Sequence, residues 1–279
     1  MSAAPCLTDR DTLMRHRSRA ARQPAFFLHA EAVDEIKERL TEVNKSFTHP
    51  ALVGHISPDL TLLFPGITPV EDTPDLSLEH AEHDLVIHSF GLHWADDPVG
   101  QLVQSRLALQ PDGLFLGVMF GGTSLQELRA CLAEVESRCY GGLSPRVLPM
   151  ADLRDLGGLL QRAGFALPVA DSRKLLVRYK SVAHLVRDLR GMGETNALAA
   201  RHKTHPTRTF WNDVDALYRE NFSDDDGYLT ATFELVYLTG WCPSEAQQKP
   251  LRPGSAKHRL ADALGVPETS LKRDSRDTR

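Results

Sequence analysis

Apolar residues fall at Val33, Ile36, Leu40, Val43 and Phe47, in alternating steps of three and four, while Asp34, Glu35, Lys37, Glu38 and Arg39 fill the opposite face. That period predicts an amphipathic helix, which Thr48 to Pro50 ends. Ala51-Leu52-Val53-Gly54-His55 then reads as a short buried strand, and a further apolar run, Leu60 to Phe64, stops at Pro65-Gly66. The apolar, β-branched stretch Asp84 to Phe90 predicts a central strand. Asp96-Asp97-Pro98 opens a helix carrying Val99, Leu102, Val103 and Leu107. Pro111-Asp112-Gly113 turns the chain, because proline fixes φ and glycine accepts positive φ, and it leads into a strand over Leu114 to Phe120.

Helical spacing returns at Leu125, Leu128, Leu132, Val135 and Cys139, and again from Asp152 to Ala163, where Gly164 supplies a stop. Two short strands are predicted over Phe165–Ala170 and Lys174–Tyr179, helical segments over Val182–Leu189 and Phe210–Tyr218, and a last strand over Thr230–Thr239. Strands alternating with helices predict an α/β fold, a mostly parallel sheet covered on both faces with the last strand antiparallel at one edge. The expected organisation is an N-terminal helical region over 1–48, an α/β core over 49–180, a helical insertion over 181–228, the final core strand over 229–242 and an extended or mobile tail over 243–279, rich in proline and polar residues.

Composition narrows the function classes. With 279 residues, 42% hydrophobic and 25% charged, the chain suits one globular domain with a sizeable core. A net charge of −5 supplies no global positive field, which argues against nucleic acid as a partner. The four cysteines show no C-x-x-C spacing, so neither a disulfide framework nor a thiolate zinc site is expected, and a reducing compartment fits. No apolar run approaches the roughly 20 residues that span a bilayer, and nothing near the start resembles a secretory signal, so a soluble intracellular protein is expected. Arg10, Arg15, Arg17, Arg19 and Arg22, interspersed with Asp9 and Asp11, read as a solvated first helix.

The stretch from Asp84 through Ser89-Phe90-Gly91-Leu92-His93-Trp94 to Asp97, with Leu109-Gln-Pro-Asp-Gly-Leu-Phe-Leu116 and Phe120-Gly-Gly-Thr-Ser-Leu-Gln-Glu-Leu-Arg129, resembles class I S-adenosylmethionine (SAM) methyltransferases. Gly141-Gly-Leu-Ser-Pro-Arg146, Asp188-Leu-Arg-Gly-Met-Gly-Glu-Thr-Asn196 and Gly240-Trp-Cys-Pro-Ser-Glu-Ala-Gln-Gln-Lys-Pro250 are similar to signature segments of one branch. That branch holds the methyltransferase-type assembly factor of respiratory complex I and the biotin-pathway malonyl-ACP methyltransferase. The resemblance covers Arg10 to Leu264. It implies a doubly wound sheet of seven strands with a helical insertion before the last, SAM as cofactor, and a complex I subunit or an acyl carrier protein as partner. It implies a modification or assembly factor for complex I; alternatives are an active methyltransferase on an acyl-carrier or small-molecule substrate, or a non-catalytic binding scaffold. The compartment expected is cytoplasmic, or the mitochondrial matrix for a eukaryotic source.

The chain departs from that pattern in its N-terminal half. A SAM site opens with a glycine-rich loop after the first strand, where backbone approaches the cofactor. Here Val53-Gly54-His55-Ile56-Ser57-Pro58 offers one glycine, and the acidic residue expected after a second strand is absent from Leu60 to Gly66. Ala51 and Asp84 are 33 residues apart, whereas the full set of strands, helices and loops needs about 57. A shortened N-terminal half is therefore expected, with a degenerate cofactor motif.

By the resemblance, the cofactor-side candidates are Gly54, Asp75 and Leu76 near the adenine edge, and Ser89 and Phe90 after the central strand. The substrate-side candidates are His93 and Trp94, at the carboxyl end of that strand where α/β ligands bind, and Arg146 and Glu194, which either contact a partner or pair structurally. His80-Ala-Glu82 imitates part of a two-histidine, one-carboxylate iron site, but surface histidines explain it better and no metal is expected. Ser223-Asp-Asp-Asp-Gly227 lacks the glutamate of a calcium loop, since Leu235 stands at its twelfth position counted from Asp224. No Gly-Lys-Ser/Thr phosphate loop occurs.

Overall fold

The computed structural model describes residues 6–247 and Gly265. One compact unit runs as far as Ser244, and a second begins at Glu245. Most of the tail assigned to 243–279, and with it the Gln248-Lys249-Pro250 end of the third signature segment, lies outside the described residues.

Five strands make one sheet: β1 (Pro50–Gly54), β2 (His83–Ser89), β3 (Leu109–Phe120), β4 (Ala166–Tyr179) and β5 (Leu229–Trp241), in the order β1-β2-β3-β5-β4. β1 pairs β2 and β2 pairs β3 in parallel, while β5 runs antiparallel to both β3 and β4. Four strands therefore share one direction and β5 opposes them. The antiparallel strand is not at the edge, as the sequence suggested, but second from it. Burial explains the placement: β5 is buried from Phe233 to Leu238, as an interior strand must be, whereas β4 exposes Leu167, Val169 and Leu176 and carries Arg173, Lys174 and Arg178, which suit an edge. β4 is also one strand rather than two, because an edge strand tolerates the polar stretch Asp171-Ser172-Arg173.

Successive residues of β1, β2 and β3 feed two separate cores, the signature of a sheet wound on both faces. Leu52, Leu85, Ile87, Leu114 and Leu116 join helices α2 (Phe27–Glu42), α5 (Gln126–Tyr140), α7 (Val182–Met192) and α8 (Arg208–Phe222). Val53, Val86 and Phe115 join α4 (Pro98–Ala108) and α6 (Leu153–Arg162). Side-chain caps fix most helix starts: Asp97 accepts from the Gly100 N–H, Asp152 from Asp155, Ser181 from His184 and Thr207 from Phe210.

Between β1 and β2 the predicted shortening takes a definite form. Leu60 to Phe64 is mostly helical, within the six-residue α3 (Pro58–Leu63), because Ser57 caps the Leu60 N–H and Pro58 takes the first turn. What stands beside the free edge of β1 is a single parallel bridge: the Val70 N–H donates to the Leu52 carbonyl at 2.7 Å and the Gly54 N–H to the Val70 carbonyl at 2.9 Å. Among the described residues the sheet has five strands instead of the seven implied by the resemblance.

The first helix, α1 (Arg10–Ala20), is not simply solvated. Thr12, Leu13, Arg17 and Ala20 form a buried stripe, and α1 packs on α7. Its start is tied down by the Asp9 N–H to the Ala197 carbonyl at 2.8 Å and the Thr8 hydroxyl to the Trp94 carbonyl at 2.8 Å.

Candidate functional site

The carboxyl ends of β1 and β2 form the crevice where ligands of open α/β sheets bind. Gly54 ends β1 at φ +99°, and a Cβ there would lie 2.3 Å from the Ser89 carbonyl oxygen, so its lack of a side chain lets the paired ends of β1 and β2 lie close side by side. The His55 N–H ties them by donating to that carbonyl at 2.8 Å, and the Ser89 hydroxyl donates to the His55 carbonyl at 3.1 Å. Phe90 is fully buried, with its ring 4.2 Å from His29 and 5.1 Å from Phe120.

Two residues that sequence reading did not single out for this crevice fill it. The Arg17 guanidinium donates to Asp72 at 2.7 Å and 3.3 Å and to the Phe90 carbonyl at 3.0 Å. Asp72 is 1% exposed and also receives Arg10 at 3.0 Å. Burial pushes the Asp72 carboxyl up, but the two guanidinium groups outweigh it and hold it well below the usual carboxylate range. Gln101 donates to the Asp72 carbonyl at 3.0 Å and lies 3.1 Å from His88 Nε2. Asp75, three residues on, is exposed; only its carbonyl is engaged, by the Thr73 hydroxyl at 2.6 Å. Leu76 packs in the α4/α6 core, its N–H donating to Gln104 at 2.7 Å.

A cavity of about 1130 Å³ opens at the end of β3, bounded by α1, α7 and the segment after α7. All four substrate-side candidates line it, and none of the five cofactor-side candidates does. His93 and Trp94 sit on a one-turn 3-10 helix (Leu92–Trp94) that follows β2. Glu194 Oε2 accepts from Trp94 Nε1 at 2.7 Å and faces His93 Nε2 at 2.9 Å. Burial raises the Glu194 carboxyl, but the adjoining His93 overrides it and holds the group below the usual range. A carboxylate only accepts, so His93 Nε2 carries the hydrogen toward it. His93 Nδ1 and Glu194 Oε1 are both buried with no partner among the described residues. Arg146 and Glu194 do not pair with each other. Arg146 donates to Glu136 at 2.7 Å and lies 4.7 Å over the Phe210 ring, while Glu136 also accepts from the Ser144 N–H and hydroxyl.

Behind the crevice lie further histidines, His29 and His88 buried and His55 half-buried. His29 is 1% exposed, both its ring nitrogens lack partners among the described residues, and burial first and then His55 lower it to about 3. His55 and His88 are each lowered to about 4, chiefly by burial. The rings of His29 and His55 are 5.3 Å apart. Among the described residues no three His, Cys, Asp or Glu side chains are placed to hold a metal ion, and His80 and Glu82 are exposed. No helix among those residues is long and apolar enough to cross a membrane.

No family model matches the chain. It is 38% identical over 191 residues to the arginine-hydroxylase NDUFAF5, mitochondrial, of Danio rerio, covering 68% of this chain and 59% of that protein. It is 32% identical over 183 residues to the malonyl-[acyl-carrier protein] O-methyltransferase of Laribacter hongkongensis, covering 66% of this chain and 59% of that one. The chain spans 45% to 62% of the length of the NDUFAF5 relatives it matches. Among solved structures, the YcgJ protein of Bacillus subtilis superposes with a TM-score of 0.49 at 11% identity, covering 77% of this chain and 100% of that one. By sequence, then, the chain is a homologue of NDUFAF5 and of malonyl-[acyl-carrier protein] O-methyltransferase.

Proposed function

We propose that this chain is a modification or assembly factor for respiratory complex I, taking a protein subunit into the cavity lined by His93, Trp94, Arg146 and Glu194. The observation that carries the reading is the convergence of those four residues on one cavity, in a chain whose relatives are named arginine-hydroxylase NDUFAF5. The compartment is the one where complex I is built, the mitochondrial matrix in a eukaryote and the cytoplasm otherwise.

SAM in the usual mode does not fit the residues present. At the place of the glycine loop, Gly54 lies close against the Ser89 carbonyl of the neighbouring strand, and the crevice beyond it is taken up by Arg17 paired with Asp72 and the Phe90 carbonyl. Gly54, Leu76, Ser89 and Phe90 make contacts within the chain, and Asp75 is exposed; a cofactor role for these five belongs to the second reading. Methyl transfer to a carrier-bound malonyl thioester, the activity in the name of the Laribacter hongkongensis relative, is the second reading.

Deleting the gene in its own host and resolving complex I on native gels tests the first reading. We expect loss or stalling of the assembled complex, restored by the wild-type chain, and a complex I subunit co-purifying with that chain. A deletion strain with normally assembled complex I would overturn it. Micromolar SAM binding in titration calorimetry would favour the second reading instead.

A further inference from the structure

The chain carries more acid than base overall, 37 against 32, yet the cavity lining reverses that balance, with seven arginines and lysines against two carboxylates. One of the two, Glu194, is already engaged by His93 and Trp94. Arg15 and Arg19 lie one turn apart on α1, Arg187 and Arg190 one turn apart on the neighbouring α7, and Arg201 and Lys203 follow. Like charges at that spacing repel, so both helices carry a local cost. The helix dipole accounts for Arg19 and Arg190, which lie in last turns, but not for Arg15 and Arg187. Among the described residues Arg19, Arg187, Arg190 and Lys203 have neither an ion pair nor a side-chain hydrogen bond; Arg201 is paired with Asp9. Deeper in the cavity the lining turns aromatic, with Trp94, Phe120, Trp211 and Phe233.

We infer that the cavity is a receptor for an acidic polypeptide segment, whose carboxylates meet the arginine rim while an apolar side chain enters the aromatic interior. The inference rests on the protein-directed reading above and adds the chemical class of the segment recognised. A volume of about 1130 Å³ gives the cavity room for a chain segment. Complementary charge of this kind speeds encounter and rejects segments of the wrong sign.

The test uses the full chain and needs no turnover or complex I, so it fails or succeeds independently of the assembly role. The probes are a fluorescein-labelled peptide of glutamates flanking two leucines, the same peptide with lysines in place of the glutamates, and a uridine homopolymer, each followed by anisotropy. The glutamate peptide is expected to bind, to weaken as salt rises from about 0.05 to 0.15 M, and to lose about tenfold in affinity with R187E/R190E. Circular dichroism checks that the variant folds, and Arg173→Glu on the β4 edge should leave binding unchanged. No binding of the glutamate peptide, equal or tighter binding of the lysine peptide or the uridine polymer, or an unaffected R187E/R190E variant overturns the inference.

Discussion

Glu194 is a buried carboxylate with unevenly used oxygens: Oε2 is shared by the Trp94 N–H and His93, and Oε1 has no partner among the described residues. A carboxylate in that setting draws its stability from the donors it keeps, since an unpaired buried polar group costs about 1–3 kcal/mol. Trp94→Phe removes one donor while keeping most of the ring, so it should destabilise the chain by about 1–3 kcal/mol in urea unfolding. In an E194A background the same change should cost much less, because the acceptor is already gone. Equal costs in the two backgrounds would show that the indole acts through packing with Leu13, Leu148 and Leu198 alone. The pairing here was legible only in part. His93 and Trp94 are candidates from their place after the central strand, and Arg146 and Glu194 from segments that resemble a known branch, but which of them pair is not legible, since Glu194 finds its donors 100 and 101 residues away.

Helix α1 connects the residue scale to the fold, because its buried stripe delivers Arg17 to the ends of β1 and β2. Arg17 and Asp72 are 9% and 1% exposed, and removing one partner of such a pair strands the other, which costs about 3–5 kcal/mol. Asp72→Ala is therefore expected to lower stability by about that amount, while R17M/D72L, which replaces the pair by apolar groups, should cost clearly less; Arg10 is then free to turn to solvent. The comparison is made by urea unfolding of both variants, and a double variant as unstable as D72A would refute the account. Elements with a clear period were legible: β2, α4, α5 and α6 form where apolar spacing or a cap points, whereas α2 starts earlier, at Phe27, and ends at Glu42, short of the Phe47 that the period included. Three features were not. Leu60 to Phe64 is too short for periodicity to separate strand from helix, and Ser57 with Pro58 decides it. The unity of β4 is concealed by the polar stretch an edge tolerates, and the insertion of β5 between β3 and β4 is a pairing over long sequence separation that no local pattern encodes. Arg17 was hidden in a row of arginines, and its partner Asp72 lies 55 residues away on a loop.

Across the whole molecule, the buried His29 and His88 and the half-buried His55 share one electrostatic consequence. Burial, the largest cause for each, lowers them from the ordinary 6.5 to about 3, about 4 and about 4. In the folded chain they are neutral at a pH where the unfolded chain has already protonated them, so the unfolded state binds more protons throughout that window. Stability contributed by these groups is complete above about pH 6.5 and is lost as pH falls toward 4. Each contributes a slope of up to about 1.4 kcal/mol per pH unit inside its window. Asp72 and Glu194, whose folded values lie below the usual carboxylate range, extend the loss into stronger acid, because both must take up protons when the chain unfolds. The urea midpoint should therefore drop between pH 7 and pH 5, well before ordinary surface carboxylates titrate. His29 offers the cleanest dissection, since neither ring nitrogen has a partner among the described residues and its ring packs between Phe26 and Phe90. His29→Phe keeps an aromatic ring there and removes the titration, so it should flatten the fall between pH 7 and pH 5 and gain more stability at pH 5 than at pH 7. A wild-type midpoint that does not change over that range, or an H29F variant with an undiminished slope, would mean that water or a ligand already solvates these rings in the folded state.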